Sequence, residues 1–233
     1  MLIDAIRGMM SGDYWSLISL LISLPVILFS LTFHECAHGW AAKKCGDRTA
    51  ENLGRLTLDP LKHLDPIGFL CMLVCGFGWA KPVPINSRNF RNPRRDMALT
   101  ALAGPVSNLL LGFVCLFLFR LSLYLCLRYS VPVSETENTV VWVLLNFLSL
   151  GARLNVYLAV FNLIPIPPFD GSRIFFIFLP VKWYFGIMKY ERFIQIGLLL
   201  LLWTGVLTLP LQTVSNGILS LMEKPLNLLF SLG

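Results

Sequence analysis

The sequence predicts an all-α polytopic membrane protein with four to five transmembrane helices and a short membrane-associated β or re-entrant segment. Of its 233 residues 56% are hydrophobic and only 14% are charged, whereas soluble domains carry about 25% charged residues. The chain also contains several apolar runs near the roughly 20 residues that a helix needs to cross a bilayer. We expect a single membrane domain over residues 1–233, surrounded by lipid.

The first predicted span covers residues 14–44. It begins at Tyr14 and Trp15, aromatic residues typical of a membrane interface, and residues 14–33 carry no charge. The helix can continue to Lys43 and Lys44, which would place its last turns near one membrane face.

That helix carries the motif His34-Glu-Cys-Ala-His38, which holds two of the three histidines in the chain. Residues four apart lie on one helix face, so both imidazoles can reach one metal ion, and Glu35 can reach a water bound to it. A catalytic zinc site takes three protein ligands and leaves one position for water. The alternative is a pair of interfacial histidines with ordinary hydrogen bonds.

Residues 54–86 form the predicted re-entrant or strand region. The uncharged stretch 66–80 is short and contains Gly68, Gly76 and Gly78, which favours a re-entrant or interfacial segment over a span. Residues 54–60 alternate polar and apolar side chains, and prolines extend residues 79–85, so both are predicted to be short extended segments.

The remaining predicted spans cover 97–127, 139–164 and 193–209, with a possible fifth at 211–230. Gly104, Asn108 and Gly112 are spaced by four in the second span and form a small-residue groove suited to close helix contact. The spacing is equally compatible with Asn108 as a packing residue or as part of a polar site. Arg153, near the middle of the third span, either faces the bundle or marks a break near an interface.

Loop charges predict the orientation. Regions 43–95 and 173–192 are rich in lysine and arginine, whereas the 128–138 loop is not. By the positive-inside rule the two basic regions are cytoplasmic and the N-terminus is outside. We therefore expect a multi-pass protein of the cell membrane, and we assign the net charge of +6 to orientation and not to nucleic-acid binding.

A second motif, Asn162-Leu-Ile-Pro-Ile-Pro-Pro-Phe-Asp170-Gly171, follows the third span. Its prolines end the helix, and an aspartate at this depth is expensive unless it is paired or binds a cation. Because successive spans alternate in direction, Asp170 returns to the membrane face of the two motif histidines and supplies the third ligand. The alternatives are an ordinary Asp-Gly turn and, as a rival ligand, His63 in a basic, proline-containing loop.

Together with Gly104-Pro-x-x-Asn108, these motifs resemble the site-2 protease family of zinc intramembrane metalloproteases over about residues 20–180. The resemblance implies that His34, His38 and Asp170 hold zinc and that Glu35 is the catalytic acid and base. It implies a catalytic role for Asn108 near the scissile bond, with a donated hydrogen bond to the oxyanion as a hypothesis. It also implies membrane-associated strands and a re-entrant loop within 54–86. The length leaves no room for a PDZ or CBS domain, so a short form is expected.

The expected function is zinc-dependent intramembrane endopeptidase activity, with an active site near the cytoplasmic face. The substrate would be a transmembrane protein cut in or near its spanning segment, held extended by an exposed strand near 54–60. A metal-cation transporter using the same ligands is one alternative, but it would not need Glu35 beside them, and the chain shows no internal repeat. A catalytically silent membrane scaffold is the other, although every catalytic position is present.

Overall fold

A computed structural model of the chain describes residues 2–12, 14–75, 78–134, 136–179, 186 and 189–230. These residues are mostly helical. The helices are α1 Leu2–Met10, α2 Trp15–Lys44, α3 Thr49–Asn52, α4 Pro60–His63, α5 Pro66–Cys75, α6 Pro93–Arg128, α7 Thr139–Asn162, α8 Asp170–Phe175, α9 Glu191–Trp203 and α10 Thr208–Phe230, with a 3₁₀ turn at Ser87–Asn89.

Three of these helices are long and apolar enough to cross a membrane. They are α2, α6 and α7, with 30, 36 and 24 residues, which correspond to lengths of about 45, 54 and 36 Å. Side-chain caps set two of the starts, because Asn92 accepts from the Arg95 N–H and Asn138 accepts from the Val141 N–H. The mostly helical architecture and these helices fit a membrane protein.

The predicted count of four to five spans is not confirmed by the described residues. The expected fourth span at 193–209 corresponds to α9, which has 13 residues and ends at Trp203. At about 1.5 Å per residue, α9 is roughly 20 Å long, shorter than the hydrocarbon core. The possible fifth span at 211–230 falls in α10, whose sequence includes Glu223 and Lys224.

The strands implied for residues 54–86 are wrong for the part of this region that the structure describes. The β pairing found there is an isolated antiparallel bridge between Leu64 and Ala80. Asp59 caps α4 by accepting from the Leu61 N–H, and Pro60 opens the helix, so a helix-start signal outweighs the polar–apolar alternation. The expected re-entrant stretch contains α5, which has 10 residues. Residues 76 and 77 lie outside the described part.

Helices α2, α6 and α7 pack against one another, and α10 lies against α6 and α7. The contact with α10 has an apolar centre formed by Leu116, Ala152, Leu226 and Phe230, and Arg120 of α6 pairs with Glu223 of α10 at 3.2 Å. Arg153 is exposed on α7 and does not point into this bundle. The antiparallel packing of α2 and α6 brings the end of α2, the first half of α6 and the end of α7 to one end of the molecule, where both motifs meet.

Candidate metal centre

The two histidines of the first motif are buried on α2 and face each other. Their Nε2 atoms are 3.0 Å apart, and the rings meet edge to face with centroids 4.6 Å apart. The Asp170 Oδ2 atom lies 3.0 Å from His34 Nε2 and 3.2 Å from His38 Nε2. Among the described residues, this is the group of histidine, cysteine and acidic side chains whose ligand atoms converge closely enough to hold a metal ion.

The triangle of ligand atoms fits a zinc ion. Zinc bonds to nitrogen and oxygen are about 2.0–2.2 Å long, so tetrahedral ligand atoms are about 3.3 Å apart. The observed separations of 3.0–3.2 Å are within a few tenths of an ångström of that value. Two imidazoles and one carboxylate are also the ligand types that zinc binds in catalytic sites.

Hydrogen bonds on the far side of each ring agree with this assignment. The Thr100 carbonyl lies 2.7 Å from His38 Nδ1, and a carbonyl only accepts, so the His38 Nδ1 carries the proton. The His34 Nδ1 lies 2.8 Å from Asn108 Oδ1. In the neutral tautomers the two Nε2 lone pairs therefore point to one place beside the Asp170 carboxylate, an arrangement that a bound cation stabilises.

Asp170 reaches the histidines because the chain turns sharply after α7. The helix ends at Asn162, and Phe169 then packs edge to face on Phe161 with centroids 4.3 Å apart. A Cβ at Gly171 would lie 2.2 Å from the Leu163 carbonyl oxygen, so only glycine allows α8 to begin here. Burial alone would raise the pKa of the Asp170 carboxyl, but hydrogen bonds and charge from the two imidazoles hold it below its usual range.

Gly104 provides the space that the two imidazoles occupy. A Cβ at this position would lie 2.5 Å from the His38 ring and 2.6 Å from the His34 ring. The sequence predicts close helix contact at this small residue. In the structure the close contact is with the two histidine side chains.

Glu35 is half-buried and lines a cavity of about 630 Å³ together with the three candidate ligands. Its Oε2 accepts a hydrogen bond of 2.8 Å from the Val83 N–H. Val83 belongs to the proline-containing segment that also lines this cavity, through Pro82 and Ile85. The candidate acid and base therefore faces the same space as the candidate metal ligands.

Asn108 lies behind His34 and not among the described residues that line the cavity. It is fully buried, its Oδ1 faces His34, and its Nδ2 donates to Asn155 Oδ1 at 3.1 Å. His63, the rival ligand, is also buried, and its Nε2 is 2.8 Å from the Thr57 carbonyl oxygen. His63 is not part of the cluster formed by His34, His38 and Asp170.

Several contacts at this site lie outside the sequence motifs. The Thr100 carbonyl and the Val83 N–H are main-chain groups, which leave no mark in the sequence. Asn155 and Ser30 are side chains, and Ser30 stands one helical turn before His34, a spacing that places both on one face of α2. That spacing is the one signal from which Ser30 could have been identified.

Comparison with known proteins gives one family match and several similar proteins. Residues 127–204 match Peptidase family M50. The chain is 47% identical over 148 residues to "Putative zinc metalloprotease YwhC" of Bacillus subtilis, covering 64% of each protein. It is 31% identical over 149 residues to "Putative zinc metalloprotease Rip2" of Mycolicibacterium smegmatis, covering 62% of this chain and 52% of Rip2. It is 29% identical over 171 residues to "Putative zinc metalloprotease MJ0611" of Methanocaldococcus jannaschii, covering 73% of this chain and 77% of that protein.

These matches support the predicted resemblance of the chain to the site-2 protease family of zinc metalloproteases. The names of these relatives agree with zinc as the cofactor and with a metalloendopeptidase as the enzyme class. The matched chain spans 64% of YwhC and 52% of Rip2, less than two thirds of either protein. No solved structure gives a significant match.

Proposed function

We propose that the chain is a zinc-dependent endopeptidase that hydrolyses peptide bonds in or near the transmembrane segments of membrane protein substrates. The observation that carries this proposal is the convergence of His34, His38 and Asp170, with ligand atoms 3.0–3.2 Å apart. Glu35 lines the same cavity. Two of the helices that supply the site, α2 and α6, are long enough to cross a membrane.

The three candidate ligands would hold zinc and leave its fourth position for water. When bound, zinc lowers the pKa of that water towards neutrality and polarises the scissile carbonyl. His34 and His38 would bind it through Nε2, because their Nδ1 atoms are engaged by Asn108 and by a main-chain carbonyl. Asp170 contributes the negative charge of the ligand set.

Glu35 moves the proton. Among the described residues, the hydrogen bond of the Glu35 carboxylate is the one that its Oε2 accepts from the Val83 N–H, so Oε1 is open to the cavity. Oε1 can therefore take a proton from the attacking water and deliver it to the amine that leaves. The hydrogen bond at Oε2 fixes the direction of the carboxylate and leaves this exchange open.

The substrate segment must unwind before it is cut, because a helical peptide bond is shielded by its own turn. We place the unwound segment in the cavity, along the extended residues Pro82, Val83 and Ile85. Pro82 and Pro84 have no N–H groups, so this edge offers few donors for β pairing. Side-chain contacts in the cavity would then contribute more to substrate binding than the strand near 54–60 that the sequence suggested.

We place the protein in the cell membrane with this cavity towards the cytoplasm. Basic residues stand at the site end of two candidate spans: Lys43 and Lys44 end α2, and Arg94 and Arg95 begin α6. Lysine and arginine are enriched on the cytoplasmic side of membrane proteins. Water and the polar flank of a substrate would enter from that side.

The substitution Glu35→Gln tests the proposal. We expect the variant to keep about one zinc per chain and to lose cleavage of single-span membrane proteins reconstituted with it in liposomes, since a glutamine cannot accept the proton. Glu51→Gln is the matched control, because Glu51 pairs with Lys43 at 2.6 Å and does not line the cavity. Cleavage by Glu35→Gln at the wild-type rate would overturn the mechanism.

A further inference from the structure

Three buried polar side chains lie behind the candidate metal centre and do not line the cavity described above. Asn108, Asn155 and Ser30 are 0%, 1% and 1% exposed and belong to α6, α7 and α2. Buried amides are costly unless their hydrogen bonds are satisfied. Hydrogen bonds link these three side chains to one another and to His34.

The orientation of the Asn155 amide is fixed by its surroundings. Its Nδ2 donates to the Gly151 carbonyl at 2.8 Å and to Ser30 Oγ at 2.9 Å. The Ser30 hydroxyl proton is already given to the Val26 carbonyl at 2.7 Å, so Ser30 Oγ accepts from Asn155. Both acceptors require an N–H donor, and the Asn155 Oδ1 must face Asn108.

Asn155 in turn fixes Asn108, and Asn108 fixes His34. Because Asn155 presents an oxygen, Asn108 donates through Nδ2 at 3.1 Å, and its Oδ1 faces His34 Nδ1 at 2.8 Å. The proton of a neutral His34 then stands on Nδ1, and the Nε2 lone pair points towards Asp170. His38 obtains the same tautomer directly from a main-chain carbonyl.

We infer that Asn108, Asn155 and Ser30 form a relay that positions His34 for metal binding. Asn155 and Ser30 are positioning residues, and Asn108 acts from behind the ligand and not on the oxyanion. The inference rests on the proposed zinc site and deepens it. Groups that bond the far nitrogen of a ligand histidine set its tautomer and ring orientation, and their loss typically lowers metal affinity by about 10–100-fold.

The substitution Asn155→Ala tests the relay, with Asn146→Ala as its matched control. Both asparagines are on α7 and donate to the carbonyl four residues before, Asn146 to Trp142 at 2.8 Å, but of the two only Asn155 is hydrogen-bonded to Asn108. We expect Asn155→Ala to bind Zn²⁺ about 10–100-fold more weakly in competition with a chelator. Its absorption spectrum with Co²⁺ in place of Zn²⁺ should also shift. Asn146→Ala should leave both unchanged.

A double variant that combines Asn108→Ala with Asn155→Ala distinguishes a relay from two independent effects on zinc affinity. Asn155 acts through Asn108, so the double variant should bind Zn²⁺ no more weakly than Asn108→Ala alone. Losses that add would overturn the relay. If Asn155→Ala does not fold, Ser30→Ala makes the same comparison with a smaller loss of side chain, and unchanged affinity and Co²⁺ spectrum would again overturn it.

The same measurements distinguish failure of the relay from failure of the proposed function. If wild-type protein binds zinc and Asn155→Ala has the same zinc affinity and Co²⁺ spectrum, the relay alone is contradicted. Folded wild-type protein without zinc affinity would contradict the metal site itself and the relay with it. A lower melting temperature without a change in metal binding would show a purely structural role and overturn the positioning role.

Discussion

The substitution Gly104→Ala should disable the metal centre while leaving the fold in place. The new Cβ would lie 2.5 Å from the His38 ring and 2.6 Å from the His34 ring, whereas non-bonded carbon atoms meet at about 3.5 Å. One or both rings must therefore retreat by about 1 Å. Metal–ligand distances tolerate only about 0.2 Å, and a misplacement of about 1 Å can reduce a catalytic rate about 100-fold.

The rings cannot absorb this displacement easily, because each is held at Nδ1. His38 is bonded to the Thr100 carbonyl at 2.7 Å and His34 to Asn108 at 2.8 Å. Zinc content by mass spectrometry after gel filtration should therefore fall well below one ion per chain. The variant should still fold, with a loss of about 1–3 kcal/mol of stability that is typical of overpacking, since the overlap is with side-chain tips at the cavity.

Gly112→Ala is the control on the same helix. Its Cβ would lie 3.1 Å from Val156 Cγ2 and 3.3 Å from the Ala152 carbonyl oxygen, so the α6–α7 contact must shift by a few tenths of an ångström. We expect a modest loss of stability with zinc retained. Gly104→Ala protein with a full complement of zinc and wild-type cleavage would refute the reasoning.

Two further predictions concern groups outside the ligand set. Val83→Pro removes the N–H that donates a hydrogen bond to Glu35. Because hydrogen bonds to charged groups contribute about 1.5–3 kcal/mol, we expect kcat to fall about 10-fold or more while zinc is retained. Val83→Ala keeps the N–H and loses only a side-chain contact in the cavity, so we expect it to raise KM and leave kcat unchanged; equal kcat values for both variants would count against the contact. Burial would raise the pKa of Asp47, but hydrogen bonds from Thr49, Asn86 and Asn89 hold it below its usual value. The ionised Asp47 carboxylate therefore stabilises the fold fully above about pH 4, and this stabilisation is lost as the pH falls through the lower folded-state pKa. In thermal melts, Asp47→Asn should be less stable than wild type at pH 7, and the difference in stability should narrow in acid. A constant difference down to pH 3 would contradict this assignment.

The convergence of the two motifs is the part of the site that the sequence predicts best. Two histidines four apart must share a helix face, and alternating spans return the chain to the same membrane face before Asp170. Both arguments depend only on helix geometry and on the number of crossings before residue 170. The structure brings the three side chains together by this route, with α2, α6 and α7 as the helices long enough to span.

The surroundings of Asn108 could not be predicted in the same way. Its spacing from Gly104 and Gly112 shows that it lies in a helix contact, but not which partner it meets. The structure gives it two partners, His34 and Asn155, from two other helices. Their positions depend on how α2 and α7 rotate against α6, which periodicity does not determine.

The least predictable region was 54–86, where local signals compete. The alternation over 54–60 favours an extended segment, yet Asp59 and Pro60 form a cap and first helical position that start α4. The predicted end of the fourth span failed for a related reason. Residues 193–209 carry no charge, and an uncharged run does not show where a helix such as α9 stops.

The most direct test of the zinc site is the metal content of the purified protein, with wild type beside Asp170→Ala and Asp59→Ala as the control. Asp59 is an exposed cap of α4, so its loss should leave the metal centre intact. The proposed site predicts about one zinc per chain in wild type and in the control, and a sharp loss in Asp170→Ala, because two histidines alone leave a zinc ion under-coordinated. Zinc that remains bound in full to folded Asp170→Ala protein would contradict the joining of the two motifs into one metal centre.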